Sequence, residues 1–181
     1  MSHPAWNLRC VSCAALYGGL DLRYRCDCGA TLNVEHEFSA LKASMDTKLL
    51  DARLASKAAL DRSGVWRFRE LVLPLEPEYV VSRGEGNTNL YRSEALSAFV
   101  GIDDFAVKHE GENPTGSFKD RGMTTGISVA KRLGMTRVAV ASTGNTSASA
   151  ASYAAAAGME CFVFIPDGQI AFGKLSQALA F

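Results

Sequence analysis

Glu110-Gly111-Glu112-Asn113-Pro114-Thr115-Gly116-Ser117-Phe118-Lys119-Asp120-Arg121-Gly122 is the stretch on which the reading of this chain turns. Asn113, Pro114, Thr115 and Gly116 are turn formers and Ser117 is a good helix N-cap. An apolar rhythm follows at Met123, Ile127, Ala130 and Leu133. Lys119 is thus expected in the first turn of a helix. The free N–H groups there make the helix start electropositive, which favours acids and lowers the proton affinity of a cation. A solvated lysine gains nothing from that position, whereas one that must act as a neutral amine toward an aldehyde does. Phe118 can supply it with apolar cover. Solvated lysines are far commoner in general; the turn chemistry and the placement argue against that fate here, without naming a cofactor.

Outward from this stretch the pattern alternates strand and helix. Residues 104–109 read as a strand, 117–133 as a helix closed by Gly134, and 137–141 as a second strand. A second helix is expected over 146–157, closing at Gly158, and a third strand over 160–165. Strands linked through helices run parallel with right-handed crossovers, so the fold class is α/β with a doubly wound parallel sheet. Ligands in such sheets lie beyond the carboxyl ends of the strands. The lysine loop falls there, as does Ser142-Thr143-Gly144-Asn145-Thr146-Ser147, a strand-to-helix junction whose hydroxyls and free N–H groups suit an anion. A simple N-cap explains one of these residues but not the cluster. A short helix before the first strand is capped by Ser93 and stops near Gly101.

Toward the N-terminus, Cys10-Val11-Ser12-Cys13 and Cys26-Asp27-Cys28 form two cysteine pairs. The intervening residues 16–25 alternate enough for a small β-ribbon, which would bring Cys10, Cys13, Cys26 and Cys28 into one tetrahedron suited to structural zinc. Disulfides are the rival, and a reducing cytoplasmic setting disfavours them. A closed four-cysteine site leaves no open position for substrate, so its role is structural. Cys161 sits in an apolar run as a small hydrophobe. Residues 39–60 keep helical spacing, with Lys42 and Asp46 one turn apart as a pair. Trp66, Phe68, Leu71 and Leu73 in the segment S-G-V-W-R-F-R-E-L-V-L-P are read as packing.

At 181 residues, 48% hydrophobic and 21% charged, the chain is expected to fold as a globular protein. Nineteen basic residues match nineteen acidic ones, which disfavours nucleic acid and anionic membranes as partners. No run reads as a signal peptide or a membrane span. His3, His36 and His109 have no ligand-like spacing, and none is nominated as catalytic.

N-P-T-G-S-F-K-D-R-G resembles the lysine motif of the fold type II pyridoxal-phosphate enzymes of the tryptophan-synthase-β type, and within them most resembles that of the threonine synthases. The cysteine-rich start and G-V-W-R-F-R-E resemble that family too. The resemblance implies that Lys119 holds pyridoxal phosphate as a Schiff base. It implies further that Asn145 bonds the 3′-oxygen of the pyridine ring, and that Ser142, Thr143, Gly144 and Thr146 hold the carboxylate of the amino-acid substrate. Lys174, in Gly173-Lys174-Leu175-Ser176-Gln177, is a candidate for the substrate phosphate, with an exposed helix lysine as the alternative. The implied reaction converts O-phosphohomoserine and water to threonine and phosphate, a carbon–oxygen lyase activity. A homodimer is implied for the full-length protein.

In G-E-G-N-T, residues 84–88, Asn89 stands where the family pattern has proline. Loss of that fixed φ is expected to loosen the loop, so Thr88 is assigned no substrate role. The expected organisation is a zinc-ribbon-like segment over 1–38, a linking helix and lead-in over 39–78, and an incomplete catalytic domain over 79–181. The apolar ending A-L-A-F reads as a truncation, with little or no turnover expected from this chain alone. Two other readings stay open. One is another fold type II enzyme, a cysteate synthase or a threonine or serine dehydratase. The other is an inactive zinc-bearing interaction module that pairs with a separately encoded C-terminal half.

Overall fold

The computed structural model describes residues 6–166, 176, 177 and 180. Strands β1 (Trp6–Cys10), β2 (Leu16–Gly18) and β3 (Leu32–His36) form an antiparallel sheet in the order β2-β1-β3. The ribbon is present, but its long pairing joins residues that flank the cysteines, from Trp6↔His36 to Cys10↔Leu32. Of the alternating stretch 16–25 only Leu16–Gly18 is strand. The Asp21 carboxylate accepts the Gly18 N–H at 3.0 Å and turns the chain there.

The single helix expected over 39–60 is three: α1 (Phe38–Ser44), α2 (Thr47–Ala55) and α3 (Ala59–Arg62). Asp46 accepts the Leu49 N–H at 2.7 Å and so caps α2. A local side-chain-to-backbone bond has taken the carboxylate that the spacing assigned to Lys42, and it starts a new helix. A 3-10 turn at Trp66–Phe68 leads into α4 (Arg69–Val72), and a second covers Pro77–Tyr79. Arg53 holds this lead-in to α2, donating to both Glu70 oxygens at 2.6 and 2.7 Å and to the Arg67 carbonyl at 2.8 Å.

Next come β4 (Leu90–Arg92), α5 (Glu94–Val100), β5 (Ala106–Lys108), a 3-10 turn at Glu110–Glu112, α6 (Lys119–Arg132), β6 (Arg137–Ala141), α7 (Asn145–Ala157) and β7 (Glu160–Phe164). The helices α5, α6 and α7 fall where the glycine stops placed them. The architecture is mixed α/β, with β6 and β7 parallel across α7 in the register Arg137↔Glu160 to Ala141↔Phe164. The strand over 104–109 differs from the expectation. It is shortened to β5 and pairs antiparallel with β4, Leu90↔Lys108 to Arg92↔Ala106. After α5 the chain turns back at Gly101 and runs alongside β4, which takes up the backbone groups of β5. Among the described residues the parallel pairing is that of β6 with β7.

Two apolar clusters support α6. Val81, Ile127, Ala130, Tyr153, Ala154 and Met159 fill the space between α6, α7 and the parallel sheet. Every residue of α7 from Ser147 to Ala154 is buried, and side chains that are small in all but Tyr153 let the helix be enclosed on all sides. The second cluster joins Trp6 of the ribbon to Val65, Trp66 and Leu73. Trp66 is fully buried, and its Nε1–H donates to Thr124 Oγ1 at 2.7 Å. That hydroxyl donates in turn to the Val81 carbonyl at 2.7 Å, so the lead-in segment is bonded to the second turn of α6.

Candidate active site

Lys119 is the first residue of α6, as the turn chemistry required. Ser117 Oγ accepts the Lys119 N–H at 3.0 Å, and Gly116, at φ 76°, takes the left-handed turn that a side chain would strain. The Lys119 ammonium lies 4.1 Å from the centroid of the Phe118 ring, so the phenyl covers the amine on one side.

Asp120, the next residue, has no exposed surface. Its Oδ1 accepts the hydroxyls of Thr115 at 2.6 Å and Ser149 at 2.5 Å, and its Oδ2 accepts the Thr115 N–H at 2.7 Å. One carboxylate thus ties the loop before Lys119 to α7, one turn beyond Asn145. A buried carboxylate is stable only when bonded in this way, and the bonds fix where the neighbouring amine begins. Sequence reading assigned Asp120 no role, because nothing in the residue letters separates a buried acid from the surface acids usual in a first helical turn.

Residues 84–89 are bonded to residues 108–113. Glu110 accepts both Arg121 Nε and Nη2 at 2.8 Å and the Thr88 hydroxyl at 3.1 Å. The Arg121 fork, opposed by burial and helped by Asn113, brings the Glu110 carboxyl down to about 2. Asn113 Oδ1 accepts the Gly86 N–H at 2.9 Å. Gly64 and Gly86 meet backbone to backbone; a Cβ on Gly64 would lie 2.2 Å from the Asn87 nitrogen. The expectation of a loosened loop at Asn89 does not hold. Glu112 accepts the Asn89 N–H at 2.6 Å and its side-chain amide at 3.1 Å, and the first of these donors is one that a proline lacks. Thr88, buried and bonded to Glu110, is structural.

Ser142, Thr143 and Gly144 join the end of β6 to α7, whose first two residues are Asn145 and Thr146. Ser142 Oγ accepts the Gly144 N–H at 3.2 Å, and no side chain caps α7. The start of that helix therefore keeps donor capacity for an anion. Asn145 Oδ1 is sealed from solvent without a hydrogen-bond partner. A buried acceptor left unsatisfied is rare, and it marks the Asn145 amide as a side chain with bonding capacity left for a ligand. Asp120 and Ser149 bring together the helix starts that carry Lys119 and Asn145. Gln177 Nε2 donates to the Thr115 carbonyl at 2.8 Å, while Lys174 lies outside the described residues.

The four cysteines converge. Their sulfurs all lie within 4.8 Å of one another, with Cys10 to Cys28 at 3.5 Å and Cys13 to Cys26 at 3.4 Å. A zinc ion with bonds of about 2.3 Å to four sulfurs in a tetrahedron sets them about 3.8 Å apart, which this cluster matches. No disulfide is formed. The Tyr17 hydroxyl, followed by the Cys28 N–H, brings the Cys26 thiol down to about 6. An N–H bond from Ala15 favours the Cys13 thiolate most, yet the three neighbouring sulfurs together push Cys13 up to about 12. Four sulfurs at this spacing could hold a metal cation between them. Cys161 is half-buried against the α6–α7 core, and burial raises its thiol.

Residues 81–181 match the family described as pyridoxal-phosphate dependent enzyme. The chain is 42% identical to threonine synthase of Methanocaldococcus jannaschii over 171 residues, covering 94% of this chain and 40% of that protein. It is 43% identical to threonine synthase of Methanosarcina acetivorans over 175 residues, 96% of this chain and again 40% of that one. Chloroplastic threonine synthase 2 of Arabidopsis thaliana is 38% identical over 170 residues, 88% of this chain and 33% of that protein. The chain thus spans about 40% of the length of the archaeal relatives it matches. No helix among the described residues is long and apolar enough to cross a membrane.

Proposed function

The chain belongs to the pyridoxal-phosphate-dependent enzymes, and we propose that it is the lysine-bearing part of a threonine synthase, acting on O-phosphohomoserine and water to give threonine and phosphate. The observation that carries this reading is the pinning of Lys119 by Asp120 beside the helix that opens on the unsatisfied amide of Asn145. Lys119 is the amine that would hold the cofactor, and Asn145 would donate to its ring oxygen through the amide Nδ2–H, not through the unsatisfied Oδ1. Pyridoxal phosphate, when bound, supplies an electron sink for charge developing next to the substrate's amino-bearing carbon. Ser142, Thr143, Gly144 and Thr146 receive the substrate carboxylate at the uncapped start of α7. Lys119 would also carry protons to and from the α and β carbons of the substrate, while Phe118 covers it on one side. The fold class carried with this reading is a doubly wound parallel sheet, to which β6 and β7 contribute two strands. The assembly carried with it is a cytoplasmic homodimer.

The cysteine cluster carries a second assignment, a structural zinc held by Cys10, Cys13, Cys26 and Cys28. Among fold type II reactions, phosphohomoserine against phosphoserine separates threonine synthase from cysteate synthase. The experiment supplies each substrate to this chain together with the remaining portion of the Methanocaldococcus enzyme. Threonine and phosphate from phosphohomoserine alone is the expected product pattern. Turnover of phosphoserine and not phosphohomoserine, with sulfite supplied and cysteate and phosphate formed, would move the assignment to cysteate synthase.

A further inference from the structure

The Cys10 sulfur receives the backbone N–H groups of Ser12 and Cys13, two and three positions on, at 3.4 Å each. Such donors come with the turn that any paired-cysteine loop makes. Cys26 has something more. The hydroxyl of Tyr17, on β2, lies 3.1 Å from Cys26 Sγ, and among the described residues it is the one side-chain hydroxyl that reaches a sulfur of the cluster.

Tyr17 is held there from three sides. Its strand pairs it with Leu8 of β1, which sets the ring's height over the cysteine turn. The Arg23 guanidinium carbon sits 4.0 Å from the ring centroid and holds the ring face by cation–π attraction. Arg23 is fixed in turn by Asp27, to which it donates at 2.6 Å. The Asp27 N–H donates to the phenol oxygen at 3.4 Å and fills an acceptor site of the hydroxyl. The hydroxyl proton then has two acceptors, the Asp27 carboxylate at 3.4 Å and the Cys26 sulfur at 3.1 Å. Arg23 engages the other oxygen of that carboxylate, Oδ1, so the choice falls on distance and charge: the sulfur is the closer acceptor, and a ligating thiolate has no proton of its own to offer the hydroxyl.

The geometry points to Tyr17 as an outer-shell positioning residue of the metal site, one that donates its hydroxyl to the Cys26 thiolate and is aimed by the Arg23–Asp27 pair. This inference rests on the zinc assignment. A donor to a ligand sulfur fixes the ligand's direction and spreads part of its charge, and losing such a partner typically weakens metal binding by about 10- to 100-fold. A tyrosine present only for packing would do nothing of the kind, because its ring alone would serve.

The test is zinc affinity by chelator competition on the 181-residue chain, compared with Tyr17→Phe, which keeps the ring and the Arg23 contact and deletes one oxygen. The native chain is expected to bind one zinc ion, and Y17F to bind one with affinity lower by about 10-fold or more. The cobalt-substituted form should show a shifted sulfur-to-metal charge-transfer band in Y17F. Arg23→Gln should weaken binding less than Y17F and add nothing in the Y17F background. Equal affinity of native and Y17F chains at one ion each would overturn the inference while leaving the zinc site standing, and so would an additive loss in the double variant. No zinc binding by the native chain would overturn both.

Discussion

In the ribbon, three short strands with few buried side chains surround four sulfurs within 4.8 Å of one another. Around Lys119 the organising groups are carboxylates. Asp120 is wholly buried with three donors, Glu110 is gripped by the Arg121 fork, and Glu85, also wholly buried, takes the hydroxyls of Ser63, Ser82 and Tyr153 at 2.5 to 2.9 Å. The first region brings like groups together in a cluster that could hold a cation. The second brings unlike groups together, and its buried carboxylates complete their bonding from within the chain. The two regions meet at Trp6 and Trp66, so the ribbon rests on the segment that supports α6. On the proposed zinc assignment, metal should decide whether the ribbon is ordered, and side-chain bonding whether the lysine corner is.

The widest separation between the two regions should come from chelating the metal. Amide protection over residues 6–36 is expected to disappear in hydrogen exchange while α6 and α7 keep theirs. Equal loss in both regions would show that the ribbon and the lysine corner are one cooperative unit. The second effect belongs to Asp120→Ala, which strands the Thr115 and Ser149 donors in the interior. It should cost roughly 3 kcal/mol or more in urea unfolding, with Asp120→Asn costing less. A loss below about 1 kcal/mol would mean that the buried carboxylate does not hold the loop.

Trp66→Phe tests the seam. It deletes the bond to Thr124 and should lower stability by about 1–2 kcal/mol without altering zinc stoichiometry. A change in stoichiometry would show that the seam helps to form the metal site. The smallest effect concerns acid. The carboxyl of Glu110 ordinarily titrates near 4.5 and is held down to about 2 in the fold, so its stabilisation is complete above pH 4.5 and is lost as the pH falls toward 2. Glu110→Gln should flatten the acid limb of the stability curve over that interval. An unchanged limb would place the acid sensitivity elsewhere.

Much of the lysine corner could be read from the residue letters. The turn Asn113–Gly116 puts Lys119 at a helix start, and Gly134 and Gly158 mark where α6 and α7 end. Signals of that kind are local, each residing in the conformational preference of one residue. What escaped depends on partners distant in the chain. Asp46 could equally have paired with Lys42 or capped a helix, and only packing chose. The strand at 106–108 looked like a member of the parallel sheet until β4 claimed it. Asn89 suggested looseness because its partner, Glu112, lies 23 residues away. Asp120 carries no mark of burial, since Ser149, which helps to hold it, lies on another helix.

The central claim is that Lys119 is the amine that takes the aldehyde of pyridoxal phosphate. The direct measurement is borohydride reduction after the cofactor has been added, followed by peptide mass analysis. The account predicts one phosphopyridoxyl group, on the peptide carrying Lys119, and none in Lys119→Ala. Label on a different lysine, or equal label in the native and K119A chains, would contradict it.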